Sequence, residues 1–109
     1  MTLFISGVSS GIGLALANKY LDLGAEVYGL SRRPCPDARV KWTQCDLADS
    51  ASIKSTIIQL LADVKDCDLA ILNAGLLGTI QDLSDAKIEE LKTIMDVNLW
   101  ANKILIDVL

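Results

Sequence analysis

The 109-residue chain contains no histidine, and its three cysteines, Cys35, Cys45 and Cys67, share no Cys-x-x-Cys spacing. A zinc site would therefore need carboxylates or a rare ligand set, and no metal is expected. An odd number of cysteines without framework spacing argues for thiols rather than a disulfide scaffold. No window approaches the roughly 18 unbroken apolar residues that span a bilayer. The first residues, Met1-Thr2-Leu3-Phe4-Ile5-Ser6-Gly7, lack the basic region and cleavage site of a secretory signal. Cations are outnumbered, ten Lys and Arg against fourteen Asp and Glu, for a net charge of −4. That balance disfavours general attraction to nucleic acid or anionic lipid. The expectation is a soluble, reduced, cytoplasmic protein with neither nucleic acid nor membrane as partner.

Apolar residues make up 51% of the chain and charged residues 22%, enough for one compact domain with a real core. Leu3 to Ser6 reads as a short strand running into the turn Gly7-Val8-Ser9-Ser10-Gly11-Ile12-Gly13. Ile12, Leu16, Tyr20 and Leu23 then recur at helical spacing, and Gly24 supplies a stop. Glu26 to Leu30 and Val40 to Cys45 read as strands two and three. Between them Pro34 and Pro36 exclude regular helix and mark a surface loop. Asp49 or Ser50 caps a helix whose Ile53, Ile57, Leu60, Leu61 and Val64 form one apolar face. Asp68 to Leu72 is strand four, so nearly all apolar that cover on both faces is expected. A short helix over Asp85 to Leu91 and a final helix over Thr93 to Leu109 complete the chain, the last carrying Ile94, Val97, Ala101, Ile104, Leu105 and Val108. This alternation implies an α/β fold, a doubly wound parallel sheet with right-handed crossovers.

The chemistry-bearing pattern is Gly7-x-x-x-Gly11-x-Gly13 between a strand and a helix. Glycine at 7 permits a turn that a side chain would block; at 11 and 13 it lets a phosphate and the neighbouring strand approach the helix start. The first N–H groups of a helix lack intrahelical partners and carry partial positive charge, so a pyrophosphate suits them. Ser9 and Ser10 add hydroxyls at the same rim. The plainer reading is a serine-capped helix after a tight turn. Leu14 after Gly13 rules out a Walker loop, which needs lysine.

With this spacing, Ser6-Gly7-Val8-Ser9-Ser10-Gly11-Ile12-Gly13 resembles the Thr-Gly-x-x-x-Gly-Ile-Gly loop of the short-chain dehydrogenase/reductase family, serine keeping threonine's hydroxyl. Three further motifs follow in family order. Asp46-Leu47 lies after strand three, where the family's aspartate meets the adenine. Asn73-Ala74-Gly75 lies after strand four and is similar to Asn-Asn-Ala-Gly. Asn98 falls where the family has its helix asparagine. The resemblance spans essentially the whole chain. It implies a Rossmann-like sheet of order 3-2-1-4, truncated before the family's later strands, with residues 1–109 forming an incomplete NAD(P)-binding domain. It also implies an oxidoreductase passing a hydride between a nicotinamide dinucleotide and a carbonyl or alcohol substrate. Asn98 becomes a catalytic-tetrad candidate that holds a bend and helps place a proton-relay water.

Strand two bears on cofactor choice. Where an NAD-preferring fold places an acid against the ribose, this chain has Ser31, then Arg32 and Arg33. A carboxylate would repel a 2′-phosphate, whereas guanidinium groups bind it bidentately. NADP(H) is therefore expected over NAD(H), although a basic pair in a polar loop is also an ordinary solvated feature. Each of Asp46, Asn73 and Asn98, alone, could be a cap, a turn or a structural amide. The glycine loop, Ser31-Arg32, Asp46 and Asn73 converge on the carboxyl ends of the strands, which raises Asp46 and Asn73 above that, while Asn98 stays open between a site residue and a structural amide.

The family's Tyr-x-x-x-Lys pair has no counterpart: Gly24 stands four residues after Tyr20, and Arg32 four after Tyr28. Two expectations remain open. One is the cofactor-binding part of a longer oxidoreductase, inactive alone, with the uncapped finish at Asp107-Val108-Leu109 read as truncation. The other is a self-sufficient nucleotide-binding or protein-interaction module without turnover. An unpaired, apolar strand four and an uncovered last helix also lead us to expect a homo-oligomer.

Overall fold

Strand β1 spans Thr2–Ser6 and is buried along nearly its whole length, because both of its edges and both of its faces are covered. The computed structural model describes residues 1–62, 64 and 66–109. β2 (Glu26–Ser31) lies on one side of β1 and β4 (Leu69–Leu72) on the other, with β3 (Lys41–Gln44) outermost beyond β2. All three pairings are parallel and the order is 3-2-1-4, as the strand–helix alternation requires. Parallel neighbours need crossovers. Helix α1 (Gly11–Asp22) links β1 to β2, and α2 (Ser50–Leu60) links β3 to β4.

Alternation along the strands divides the core. Leu3, Ile5 and Val27 pack with Val8, Ala17 and Val40 on the α1 side. Phe4, Tyr28 and Leu30 pack on the other side with Ile53 and Ile57 of α2, and with Ala101 and Leu105 near the chain's end. The apolar face read for α2 is thus the buried one. For α1 the reading holds in part, since Leu16 and Tyr20 pack against this core. Gly13 and Ala17 are its buried residues, while Ile12 and Leu23 are 72% and 71% exposed. Small side chains won over large ones here because α1 must lie close to the sheet at its N-terminal end.

Strand four also differs from expectation. Its centre, Ala70, is exposed, so β4 is not covered on both faces. Among the described residues β4 pairs only with β1.

The two expected C-terminal helices are one continuous helical run. After a 3₁₀ turn at Leu83–Asp85, α3 (Ile88–Met95) passes through a π turn at Asp96–Trp100 into α4 (Ala101–Val108). Neither glycine nor proline lies between 88 and 108, so nothing breaks the helix. The extra residue is absorbed as a π turn instead. The expected inward face holds: Ala101 and Leu105 are buried, and Val97, Ile104 and Val108 pack around them.

Truncating Leu105 to Ala should destabilise the full chain by about 2–5 kcal/mol. Ile106→Ala, on the exposed side of the same helix, should stay within about 0.5 kcal/mol. Urea denaturation of both variants checks which face of α4 is inside.

Candidate functional site

Because all strands run parallel, their carboxyl ends share one edge, and the loops leaving them meet there. The tightest contact lies between the turn after β1 and the start of α1. Gly7 adopts φ +79°, and its N–H donates to the Leu30 carbonyl at 2.8 Å. This aims the Gly7 carbonyl at Gly13, where an added Cβ would lie 1.8 Å from that oxygen. Glycine at 13 is therefore a packing requirement between loop and helix.

The exit of β4 is tied to the same point. Asn73 Nδ2 donates to the Gly7 carbonyl at 3.1 Å. Ser6 Oγ, fully buried, accepts the backbone N–H groups of Asn73 (3.1 Å) and Ala74 (3.2 Å). Ser6 was not singled out as a site residue by sequence reasoning. Its signal was the hydroxyl that opens the glycine-loop motif.

The first turn of α1 is open toward solvent. Ser10 is the N-cap, with extended backbone, but its side chain caps nothing. Among the described residues the N–H groups of Gly11, Ile12 and Gly13 have no hydrogen-bond acceptor, and the space beside Gly11 (φ +59°) is empty to 4 Å.

A cleft of about 480 Å³ lies over this edge. Of the expected residues, it is lined by Gly7, Ser9 and Ser10 from the glycine loop, and by Ser31, Arg32 and Arg33 from the end of β2. Asp46 and Leu47 contribute from the end of β3, and Asn73, Ala74 and Gly75 from β4. Gly11, Ile12, Gly13 and Asn98 are outside the lining; Ile12 projects to solvent. Cys45, Ala48, Leu76, Thr93 and Val97 also line the cleft without having been anticipated. Ala48, Leu76 and Val97 carry no distinctive side-chain chemistry, and for Cys45 and Thr93 only the fold could show that they reach the cleft.

Asn98 sits in the π turn. Its amide makes a two-way clamp on the β4 loop: Oδ1 accepts Leu76 N–H at 2.7 Å, and Nδ2 donates to the Leu76 carbonyl at 2.8 Å. Farther along that loop Glu90 Oε1 accepts Thr79 N–H at 2.7 Å. This bond holds the Glu90 carboxyl below its ordinary value of 4.5.

At the β3 end of the cleft, Asp46 Oδ1 accepts Ala48 N–H at 3.0 Å, shaping the turn into α2. Burial pushes the Cys45 thiol up, with the charges of Asp46 and Asp49 adding to it, so the cleft holds a protonated thiol. Arg32 and Arg33 are exposed and, among the described residues, form no ion pair. These two cations line a cleft that opens beside the unpaired amides of α1.

A family model described as short chain dehydrogenase matches residues 1–106. The chain belongs to the short-chain dehydrogenase family. It is 34% identical over 102 residues to the probable short-chain type dehydrogenase/reductase VdlC of Helicobacter pylori, covering 89% of this chain and 37% of that protein. It is 28% identical over 106 residues to the NADP-dependent 3-hydroxy acid dehydrogenase YdfG of Salmonella typhi, covering 90% and 43% respectively. A solved short-chain dehydrogenase from Leptospira borgpetersenii with bound NAD+ superposes at a TM-score of 0.86 with 27% identity, covering 98% of this chain and 43% of that one. This short-chain dehydrogenase chain thus spans less than half the length of these relatives.

The residues present fit a nicotinamide dinucleotide, which the family uses. The uncapped amides at the start of α1, the open space beside Gly11 and the adjacent cleft are what a pyrophosphate and its flanking nucleosides need.

Gly13→Ala should cost at least about 1–3 kcal/mol, since backbone rather than a pliable side chain must move. Urea melts should show the loss. A second expectation concerns pH. A carboxylate whose folded value is lowered contributes stability that is complete above its unfolded value and disappears as pH falls through the folded value. Glu90 should therefore titrate below 4.5 by NMR, with the Thr79 amide shift moving in the same step.

Proposed function

We propose that this chain forms the NADP(H)-binding domain, residues 1–109, of an oxidoreductase acting on a carbonyl or alcohol. When bound, the nicotinamide supplies or takes up the hydride. The observation that carries the reading is the set of unpaired N–H groups at Gly11, Ile12 and Gly13, opening beside a cleft that also receives Arg32 and Arg33. Gly7, Gly11, Ile12 and Gly13, with Ser9 and Ser10, hold the pyrophosphate. Arg32 and Arg33, on the turn that Ser31 begins, hold the 2′-phosphate. Asp46 and Leu47 meet the adenine, and Asn73, Ala74 and Gly75 form the floor. Asn98 serves catalysis by fixing the loop at Leu76 and helping to place a proton-relay water.

Relatives of both cofactor types exist, so the choice of NADP(H) stands on this chain's own residues. No acid ends β2, and the two guanidinium groups that follow it form no ion pair among the described residues. A second reading, a nucleotide-binding or interaction module without turnover, is favoured by one observation. Neither Tyr20 nor Tyr28 is followed four residues later by lysine. In the first reading these 109 residues bind cofactor without reducing a carbonyl by themselves; in the second they bind another nucleotide or a protein partner.

A cytoplasmic setting belongs to the proposal, supported by three cysteines that remain thiols. No helix among the described residues is long and apolar enough to cross a membrane. Self-association through β4 or the final helix is proposed too, supported by the exposed Ile88, Leu91, Met95 and Leu99.

Calorimetric titration with NADPH, NADH and ATP separates the readings. NADPH should bind best. Arg32→Ala should weaken NADPH about 10- to 100-fold, the loss of one charge-assisted contact of about 1.5–3 kcal/mol, and leave NADH within about twofold. Equal losses for both cofactors would overturn the 2′-phosphate role. Light scattering should find a dimer or larger species, and a dilute stable monomer would contradict the assembly.

A further inference from the structure

Arg32 and Arg33 have exposed side chains, yet the backbone presenting them is held at both carbonyls. Gln44 Nε2 donates to the Arg32 carbonyl at 3.3 Å, and Ser31 Oγ donates to the Arg33 carbonyl at 2.5 Å. Ser31 is itself buried, and its oxygen accepts the Trp42 indole N–H at 2.8 Å. A hydroxyl has a single proton. With an indole N–H aimed at its oxygen, that proton is left to the Arg33 carbonyl. Trp42 and Gln44 stand two residues apart on β3, hence on one face, and the β2–β3 register places Gln44 opposite Ser31. Pro34 and Pro36 then fix two further φ angles just beyond the arginines. Mobile arginine side chains thus rise from a preset stretch of main chain. Presetting a binding segment lowers the ordering cost on association.

We infer that the Trp42–Ser31–Arg33 hydrogen-bond chain, together with Gln44, is the positioning device that sets the preference for a 2′-phosphorylated dinucleotide. The inference rests on the NADP(H) reading above and extends it to Trp42 and Gln44. Trp42 packs against the α1-side core and does not line the cleft, so it acts through Ser31. A Trp42 that served packing alone would, when altered, weaken both cofactors together. One that positions the arginines affects only the phosphorylated cofactor.

The test uses Trp42→Phe, which keeps an aromatic ring but lacks the N–H, and Gln44→Met at an exposed position, both in the full chain. Each is titrated with NADPH and NADH, and with adenosine 2′-monophosphate against adenosine 5′-monophosphate. The expected result is about a three- to tenfold rise in the Kd of NADPH and of the 2′-monophosphate, with NADH and the 5′-monophosphate within about twofold. In a Ser31→Ala background, Trp42→Phe should add nothing further. Parallel losses for both cofactors, or no loss, overturn the positioning role. Should Trp42→Phe fail to fold, Gln44→Met carries the same comparison. If Arg32→Ala separates the cofactors while Trp42→Phe and Gln44→Met do not, this inference alone fails. If Arg32→Ala lowers both equally, the NADP(H) reading fails with it.

Discussion

The Gly7 carbonyl meets Gly13 on one side and the Asn73 amide on the other, and the geometry of the whole binding edge follows from that meeting. It draws the start of α1 against the sheet, so the first-turn amides open at the strand ends rather than above a spacer of side chains. It also ties the exit of β4 to the exit of β1, with the Ser6 hydroxyl serving two further amides from below. Polar groups that would be costly to bury unpaired satisfy one another here, while those of the α1 first turn stay unpaired where a ligand can reach them.

Much of this was legible in the residues because it depends on local rules. Apolar runs of four to six residues separated by helical patterns forced a parallel sheet, and parallel sheets permit few orders. The glycine spacing could be placed because only that residue tolerates both the turn at 7 and the contact at 13. Periodicity placed Leu16 and Tyr20 of α1 against the core but failed at Ile12 and Leu23, which the structure turns to solvent. Large side chains are the usual guide to burial, but a helix held near a sheet needs its smallest residues inward. The cover of β4 and the continuity from α3 to α4 were likewise outside local reach, since the first depends on neighbours distant in sequence. The second depends on a π turn that no spacing rule announces.

Within the site, legibility tracked chemistry. Charged and amide side chains were recognised, whereas Leu76, Thr93 and Val97 line the cleft through position alone. Ser31 shows a subtler limit. Its identity suggested contact with cofactor, but its hydroxyl proton is engaged by the Arg33 carbonyl and its oxygen by the Trp42 indole. A residue can belong to a binding edge by shaping the main chain of its neighbours.

The π turn at Asp96–Trp100 makes the two halves of the terminal helix out of phase with each other. Each residue advances an α-helix by about 100°. The surplus residue therefore offsets the angular track of Ala101 and Leu105 from that of Ile88 and Leu91. Excising any one position from that turn would straighten the rod and, in doing so, swing the inward leucine off the sheet. The length of this segment thus matters as well as its composition, and tolerance to substitution there does not extend to tolerance of deletion.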